Sequence, residues 1–378
     1  MNQAKIDDIR YMKLAFNLSK KGMGFTEPNP MVGAVVVKNN RILATGYHVG
    51  HGKAHAEQMA FSNLNEEGTT VYVTLEPCPH YGKTPPCSEL LINKKVKRVV
   101  VPVMDPNPRV NGKGISRLRE MGIEVEIGLL ENTARYINRH YFKYIDSSIP
   151  YVGVHAGMSI DGKLTDKFRK SQWVTDEELR LYSHSIRGEF SAILSGTGTI
   201  LDDNPQFTIR EKEWENKRLY RVILDTQNRL PSGLKLYENR EQFPLVIFSS
   251  HDAPNQTLNP NADYHFFVSQ NDDCTGLNPV EVLRKLHQIG IASVLVEGGG
   301  AVIGSFLKAG LYDEILFFTA DKLIGGKDSV QVFPPGCAVS EAIPIVNREI
   351  ISFKNGYLVR GFRTPTYRPV EQLESNEG

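Results

Sequence analysis

Residues 74–87 read Thr-Leu-Glu-Pro-Cys-Pro-His-Tyr-Gly-Lys-Thr-Pro-Pro-Cys, and His55-Ala56-Glu57 precedes them. One imidazole (His55) and two thiolates (Cys78 and Cys87) supply the three protein ligands that a catalytic zinc needs, with a fourth position left for water. Zinc lowers the pKa of water to about 7. A carboxylate outside the ligand set must then move protons, and Glu57 is placed for that if a helix start aims His55 and Glu57 into one pocket. A structural site would take a fourth protein ligand and leave Glu57 without a purpose.

H-x-E followed by P-C-x-x-C marks the zinc deaminases. Here the second cysteine comes nine residues after the first instead of three. His80 lies inside that loop and competes for the ligand role. Cys87 is preferred because Pro85-Pro86-Cys87 reads as a helix start, where the dipole favours a thiolate.

Outward from this stretch, apolar runs alternate with helical ones. Ile6, Ile9, Met12 and Phe16 recur at helical spacing. Strands are predicted at Val32–Val37, Ile42–Gly46, Thr70–Leu75, Arg98–Val103 and Ile123–Ile127. Helices are predicted at Ala56–Leu64, Cys87–Asn93 and Ile115–Met121. The rhythm is that of an α/β layered domain with a mixed sheet, ending near Ser147–Pro150. A second α/β series begins with a strand at Tyr151–Val154. A helix opens at Thr175, with Glu178 three residues on as in a capping box. Strands follow at Ala192–Ser195, Arg221–Asp225, Leu245–Phe248 and Val294–Glu297, with helices near Val280–Ile289 and Ile303–Ala309.

The length of 378 residues favours two domains. The composition, 40% hydrophobic and 23% charged, is that of a globular chain. A formal net charge of +1 leans against nucleic acid, whose binders carry a basic excess. Residues 1–20 are too polar for a signal peptide, and no run approaches membrane-spanning length. Four cysteines (Cys78, Cys87, Cys274 and Cys337) indicate a reducing compartment. The expectation is a cytoplasmic protein acting on a small molecule, with no nucleic-acid or membrane partner.

Further motifs flank the metal stretch in order: Pro28-Asn29-Pro30, Gly46-Tyr47-His48 and Asp105-Pro106-Asn107-Pro108. With the long loop between the cysteines, they resemble the deaminase half of the bifunctional riboflavin-biosynthesis deaminase–reductase family. The second half resembles that family's reductase through Ser159-Ile160-Asp161-Gly162-Lys163, Ser171-Gln172-Trp173, Asp202-Asp203-Asn204-Pro205 and Val296-Glu297-Gly298-Gly299. The resemblance implies an α/β chain: a cytidine-deaminase-like three-layer α/β/α domain over 1–147, a dihydrofolate-reductase-like α/β domain over 148–363, and a tail over 364–378.

It also implies one Zn2+ on His55, Cys78 and Cys87, with Glu57 as the catalytic proton carrier. Asn29 and His48 would touch a pyrimidine, and Lys83 its phosphate. NADPH would run along Gly157, Trp173, Thr199, Asp203, Thr226, Gly299, Gly300, Ala301, Val302, Ile303, Gly304 and Ser305. The second substrate would meet Ser171, Arg187, Phe207, Arg210 and Glu297. A homo-oligomer, dimer or tetramer, is expected.

The physical case for the second half is narrower. A strand running into Gly298-Gly299-Gly300 and then a helix offers backbone N–H groups to a phosphate, without the full dinucleotide fingerprint. Two departures stand out. His155 occupies a position where the family commonly has lysine, and Lys167-Phe168-Arg169-Lys170 is unusually basic, suited to the 2′-phosphate of NADPH or merely solvated. The rival readings are a nucleoside or tRNA-base deaminase with an accessory domain, and a binding protein with structural zinc.

Overall fold

The computed structural model describes residues 3–80, 85–171, 173–209, 211–272, 275–333 and 338–365. They form two compact units, divided between Ser147 and Ser148. In chain order the first unit carries α1 (Gln3–Ser19), β1 (Gly33–Lys38), β2 (Arg41–Tyr47), α2 (Ala56–Ala60), β3 (Thr70–Val73), α3 (Cys87–Asn93), β4 (Arg98–Val101), α4 (Lys113–Glu120), β5 (Glu124–Ile127), α5 (Glu131–Ile137) and α6 (Arg139–Asp146). Its sheet runs β2-β1-β3-β4-β5. β1 is antiparallel to both neighbours, and β3, β4 and β5 are parallel. Asn39 and Asn40, at φ 50° and 58°, make the two-residue turn between β1 and β2. Asparagine tolerates that left-handed backbone better than most residues.

Alternation along the strands produces the three layers. Val35, Val37, Tyr72 and Val100 pack with Tyr11, Met12 and Phe16 of α1 and with Ile137, Tyr141 and Phe142 of α5 and α6. Ala34, Val36, Val71, Val73, Val99 and Val101 face the other way, onto Ala56, Ala60, Leu91 and Leu118 of α2, α3 and α4.

The second unit carries β6 (Tyr151–Ser159), α7 (Glu177–Arg187), β7 (Ala192–Gly196), α8 (Thr197–Asp203), β8 (Tyr220–Leu224), β9 (Leu245–Ser250), β10 (Tyr264–Val268), α9 (Pro279–Gln288), β11 (Ser293–Val296), α10 (Gly300–Lys308), β12 (Glu314–Ala320), β13 (Val346–Phe353) and β14 (Gly356–Phe362). The sheet order is β10-β9-β8-β7-β11-β6-β12-β14-β13. It is parallel from β10 to β12, and the last two strands are antiparallel. One face buries Val152, Val154, Leu194, Val294 and Val296 against α9 and α10. The other buries Ile193, Ile223 and Ile247 against Ile200 of α8, Phe207 and Leu236.

Several predicted boundaries change. The helix after His55 stops at Ala60, four residues early, and β6 continues to Ser159. Asp176, not Thr175, caps α7, its carboxylate accepting from the Leu179 amide at 3.0 Å. The helix after the glycines starts at Gly300. No helix among the described residues is long and apolar enough to cross a membrane.

Candidate active sites

His55 sits at the N-cap of α2, with extended backbone angles that turn it away from the helix. Its N–H donates to Gln58 Oε1 at 3.1 Å, and Gln58 Nε2 donates to the Pro85 carbonyl at 3.1 Å. One glutamine thus ties the helix bearing His55 to the segment entering α3, whose first residue is Cys87. From the other side, the Cys78 carbonyl accepts the Ser88 N–H at 3.2 Å.

These ties bring His55 Nδ1 to 3.3 Å from Cys87 Sγ and 3.6 Å from Cys78 Sγ. The three ligand atoms lie within 4.8 Å of one another. A tetrahedral zinc, with bonds of about 2.05 Å to nitrogen and 2.3 Å to sulfur, sets those atoms about 3.6 Å apart, so the donor set fits the ion in number, type and spacing. The Cys87 hydrogen bond and the neighbouring imidazole hold the Cys78 thiol well below its usual range. The same bond and burial push Cys87 up. His80 lines the cavity without joining this cluster.

Glu57 follows His55 by two residues, is buried, and lines the same cavity of about 300 Å³. Burial, with the Cys78 charge beside it, pushes its carboxyl up to about 7. A carboxyl at that value gives and takes a proton with equal ease at neutral pH.

His48 is buried in the cavity wall. Its Nδ1 is 3.0 Å from the Ala54 carbonyl, which can only accept, so Nδ1 carries the proton. Nε2 has no partner among the described residues. Burial lowers the pKa of this imidazole, so Nε2 offers a lone pair to a ligand N–H or O–H. Asn29 also lines the cavity. Lys83 lies outside the described residues.

Four cavity residues escaped the sequence reading as site residues, although the Asp105-Pro106-Asn107-Pro108 motif marks two of them. Asp105 Oδ1 accepts the Asn107 N–H at 2.8 Å and the Tyr141 hydroxyl at 2.9 Å. Burial raises this carboxyl to about 6. Glu76 lines the cavity as an anchor. Its two oxygens accept the backbone N–H groups of Asp105, Gly112, Gly114 and Ile115, pinning the start of α4 to the strand end that carries Cys78.

In the second unit, a cleft of about 1080 Å³ opens at the C-terminal ends of β7 and β8, against α10, the usual ligand position on a parallel sheet. Thr226, Ala301, Val302, Gly304 and Ser305 line it. Ile303 is fully buried in the core, so its side chain cannot meet a ligand there. Gly298, at φ +127°, would set a Cβ 2.5 Å from Ser195 Oγ and 3.0 Å from Thr199 Oγ1, so only glycine makes this turn into α10. Gly299 caps the helix with open space around it.

The remaining cofactor residues of the sequence reading stand outside that cleft's lining. Gly157 lies on β6 and Asp203 ends α8. Trp173 is 63% exposed, with the Arg180 guanidinium 4.1 Å from its ring centroid.

Of the substrate residues, Arg187 and Glu297 meet each other. Arg187 Nε and Nη2 donate to the two Glu297 oxygens at 2.9 and 2.7 Å, with Glu297 buried and the Arg187 side chain 13% exposed. Nη1 donates to the Thr208 carbonyl at 3.3 Å, and the guanidinium lies over the Phe207 ring. His155 is buried beside them. Its Nε2 is 2.7 Å from Ser183 Oγ and its Nδ1 4.0 Å from Glu297 Oε1. Burial lowers its pKa, so it is neutral where a lysine would bring a charge. Ser171 is partly exposed. Arg210, Cys274, Cys337 and the tail from 366 on lie outside the described residues.

Comparison with known proteins follows the same division. Residues 5–103 match the cytidine and deoxycytidylate deaminase zinc-binding region, and residues 150–355 match the RibD C-terminal domain. Riboflavin biosynthesis protein RibD of Aquifex aeolicus is 41% identical over 84% of the chain and 88% of its own length. That of Escherichia coli is 35% identical over 85% and 89%. A Thermotoga maritima crystal structure, a diaminohydroxyphosphoribosylaminopyrimidine deaminase/5-amino-6-(5-phosphoribosylamino)uracil reductase, superposes with a TM-score of 0.83 at 35% identity. The match covers 95% of this chain and 99% of that one. Acinetobacter baumannii RibD gives 0.84 at 30% identity.

Proposed function

Because the chain belongs to the RibD family of bifunctional riboflavin-biosynthesis enzymes, we propose that its two described cavities carry the two activities in turn. In the first unit, 2,5-diamino-6-ribosylamino-4(3H)-pyrimidinone 5′-phosphate is hydrolytically deaminated. In the second, the ribosyl side chain of 5-amino-6-ribosylaminouracil 5′-phosphate is reduced to ribityl with NADPH. The observation that carries the first assignment is the convergence of His55 Nδ1, Cys78 Sγ and Cys87 Sγ within 4.8 Å, beside a buried glutamate.

His55, Cys78 and Cys87 would hold the zinc, which would lower the pKa of a water so that hydroxide is available at neutral pH. Glu57 takes a proton as water adds to the amidine carbon and delivers one to the departing amine, so that ammonia leaves. His48 Nε2 accepts a hydrogen bond from a ring or amino N–H and orients the pyrimidine. Asp105, held by Asn107 and Tyr141, presents its second oxygen to the same ligand.

In the second unit the nicotinamide supplies the hydride, and the protein's task is to hold the two partners in reach. The glycine turn into α10 would offer its backbone N–H groups to the diphosphate. Arg187 keeps N–H donors beyond its pair with Glu297 and faces the loop that carries Phe207.

Ammonia release from the diaminopyrimidinone, followed by NADPH oxidation on the product, tests both halves. Glu57→Ala is expected to lower deamination by about 100-fold or more with one zinc per chain retained and NADPH oxidation intact when the deaminated substrate is supplied directly. Equal rates in the variant and the parent protein would remove Glu57 from the mechanism.

A further inference from the structure

The cleft of the second unit has two cations among its described lining residues, Arg229 and Lys308. Arg229 stands on a turn built to hold it. Asp225, at the end of β8, accepts the backbone N–H groups of Arg229 and Leu230 on Oδ2 at 2.8 and 2.9 Å, and the Thr197 hydroxyl on Oδ1 at 3.2 Å. The Asn228 N–H closes the turn on the Asp225 carbonyl at 2.8 Å. Asn228 itself takes φ +50°, and its side-chain amide donates to the carbonyls of Asn255 and Thr257 at 2.7 and 2.9 Å. The backbone is therefore clamped on both sides of Arg229. Its side chain is exposed, and among the described residues its guanidinium has no partner.

This arrangement bears on which dinucleotide the cleft takes. A cofactor with a free ribose 2′-hydroxyl needs an acceptor, commonly a carboxylate after a strand. Asp225 stands after β8, but it is fully buried and both its oxygens are already occupied. A 2′-phosphate instead brings close to two negative charges and three acceptor oxygens, the geometry a guanidinium pairs with two bonds at once. The basic run Lys167-Phe168-Arg169-Lys170, an alternative for that role on sequence, contributes nothing to the lining of this cleft.

We propose that Arg229, clamped on the turn after β8, is the residue that makes this cleft select the 2′-phosphorylated nicotinamide dinucleotide. The proposal rests on the reductase reading above and deepens it. Asp272 is the lining's other acid among the described residues. It lies beyond β10, outside the clamped turn.

The test is direct binding to the full-length protein, without turnover. Titrations with NADPH and with NADH, followed by nucleotide fluorescence or calorimetry, give four constants for the parent protein and Arg229→Ala. NADPH affinity is expected to fall about tenfold or more in the variant, the worth of a charge-assisted pair, while NADH affinity stays within about twofold. Arg229→Lys should recover part of the NADPH affinity, since the charge remains and the two-bond fork is lost. Raising the salt concentration should weaken NADPH more than NADH in the parent and erase that difference in Arg229→Ala. An equal loss for both nucleotides, no loss for either, or a selective loss in Lys308→Ala but not in Arg229→Ala would overturn the assignment. A parent protein that binds neither nucleotide would overturn the reductase reading on which it stands.

Discussion

Arg187 and Glu297 show how burial decides what two residues are worth. Burial pushes the Glu297 carboxyl up, and the Arg187 guanidinium, with His155 nearby, more than offsets it and holds the group at about 2. A carboxyl lowered from 4.5 to about 2 stabilises the fold above pH 4.5, and that stability is lost as the pH falls towards 2. At about 1.4 kcal/mol per unit the whole effect is at most about 3.5 kcal/mol. Removing one partner is costlier than removing both, because it strands a buried charge. Arg187→Met is therefore expected to destabilise the second unit by about 3–5 kcal/mol, and Arg187→Met with Glu297→Met together to recover most of that. Denaturant midpoints at pH 7 and near pH 2.5 check both halves of the argument. A double variant no more stable than the single would show that the pair is not coupled. The sequence marked the two residues separately, as substrate contacts. Their mutual pairing was not legible, because 110 residues separate them and only the sheet, by placing the end of β11 beside α7, brings them together.

Elements were legible where local chemistry and tertiary environment agree. α3 falls at Cys87–Asn93 as expected, since Pro86 enters it and no competing pattern exists there. The hairpin of β1 and β2 was readable from its two asparagines. β12 (Glu314–Ala320) was not, because a continuous apolar run such as Ile-Leu-Phe-Phe serves a buried strand and a buried helix equally well. α8 includes Gly198 and two threonines, a composition against helix. It forms because Thr197 bonds to the Leu224 carbonyl and Ile200 packs into the core beneath β8. α5 follows Leu130 in a left-handed conformation, which no local pattern announces. Close approach between elements is equally silent in a sequence. A Cβ on Gly46 of β2 would lie 2.2 Å from the Ala56 carbonyl and 2.6 Å from the Ala60 N–H, both backbone atoms of the helix that holds His55 and Glu57. Gly46→Ala must push α2 outward, at a cost of about 1–3 kcal/mol for overpacking. The ligand geometry should suffer more than the fold. Zinc content by elemental analysis is expected to drop well below one per chain, with deamination falling in proportion. Full zinc occupancy in a folded Gly46→Ala protein would mean that α2 tolerates the shift.

At the scale of the molecule, the two cavities belong to two cores that share no residue. The clusters around β1 to β5 contain nothing beyond Ile145, and those of the second sheet nothing before Ile149. Every ligand of the proposed zinc lies between His55 and Cys87, and among the described residues the cleft beside α10 is lined from Gly196 onward. Metal binding should therefore stabilise one unit and leave the other nearly untouched. An ion that binds the folded unit alone adds RT ln(1 + [L]/Kd), about 4 kcal/mol at a thousandfold excess over Kd. Treating the full-length protein with a strong chelator is expected to abolish ammonia release and lower the unfolding temperature of one calorimetric transition. NADPH oxidation on the already deaminated substrate should persist within about twofold, because no zinc ligand contributes to that cleft. Readding zinc should restore the first activity and the lost transition together. If chelation instead removed both activities at once, the units would have to be thermodynamically coupled, despite their separate cores.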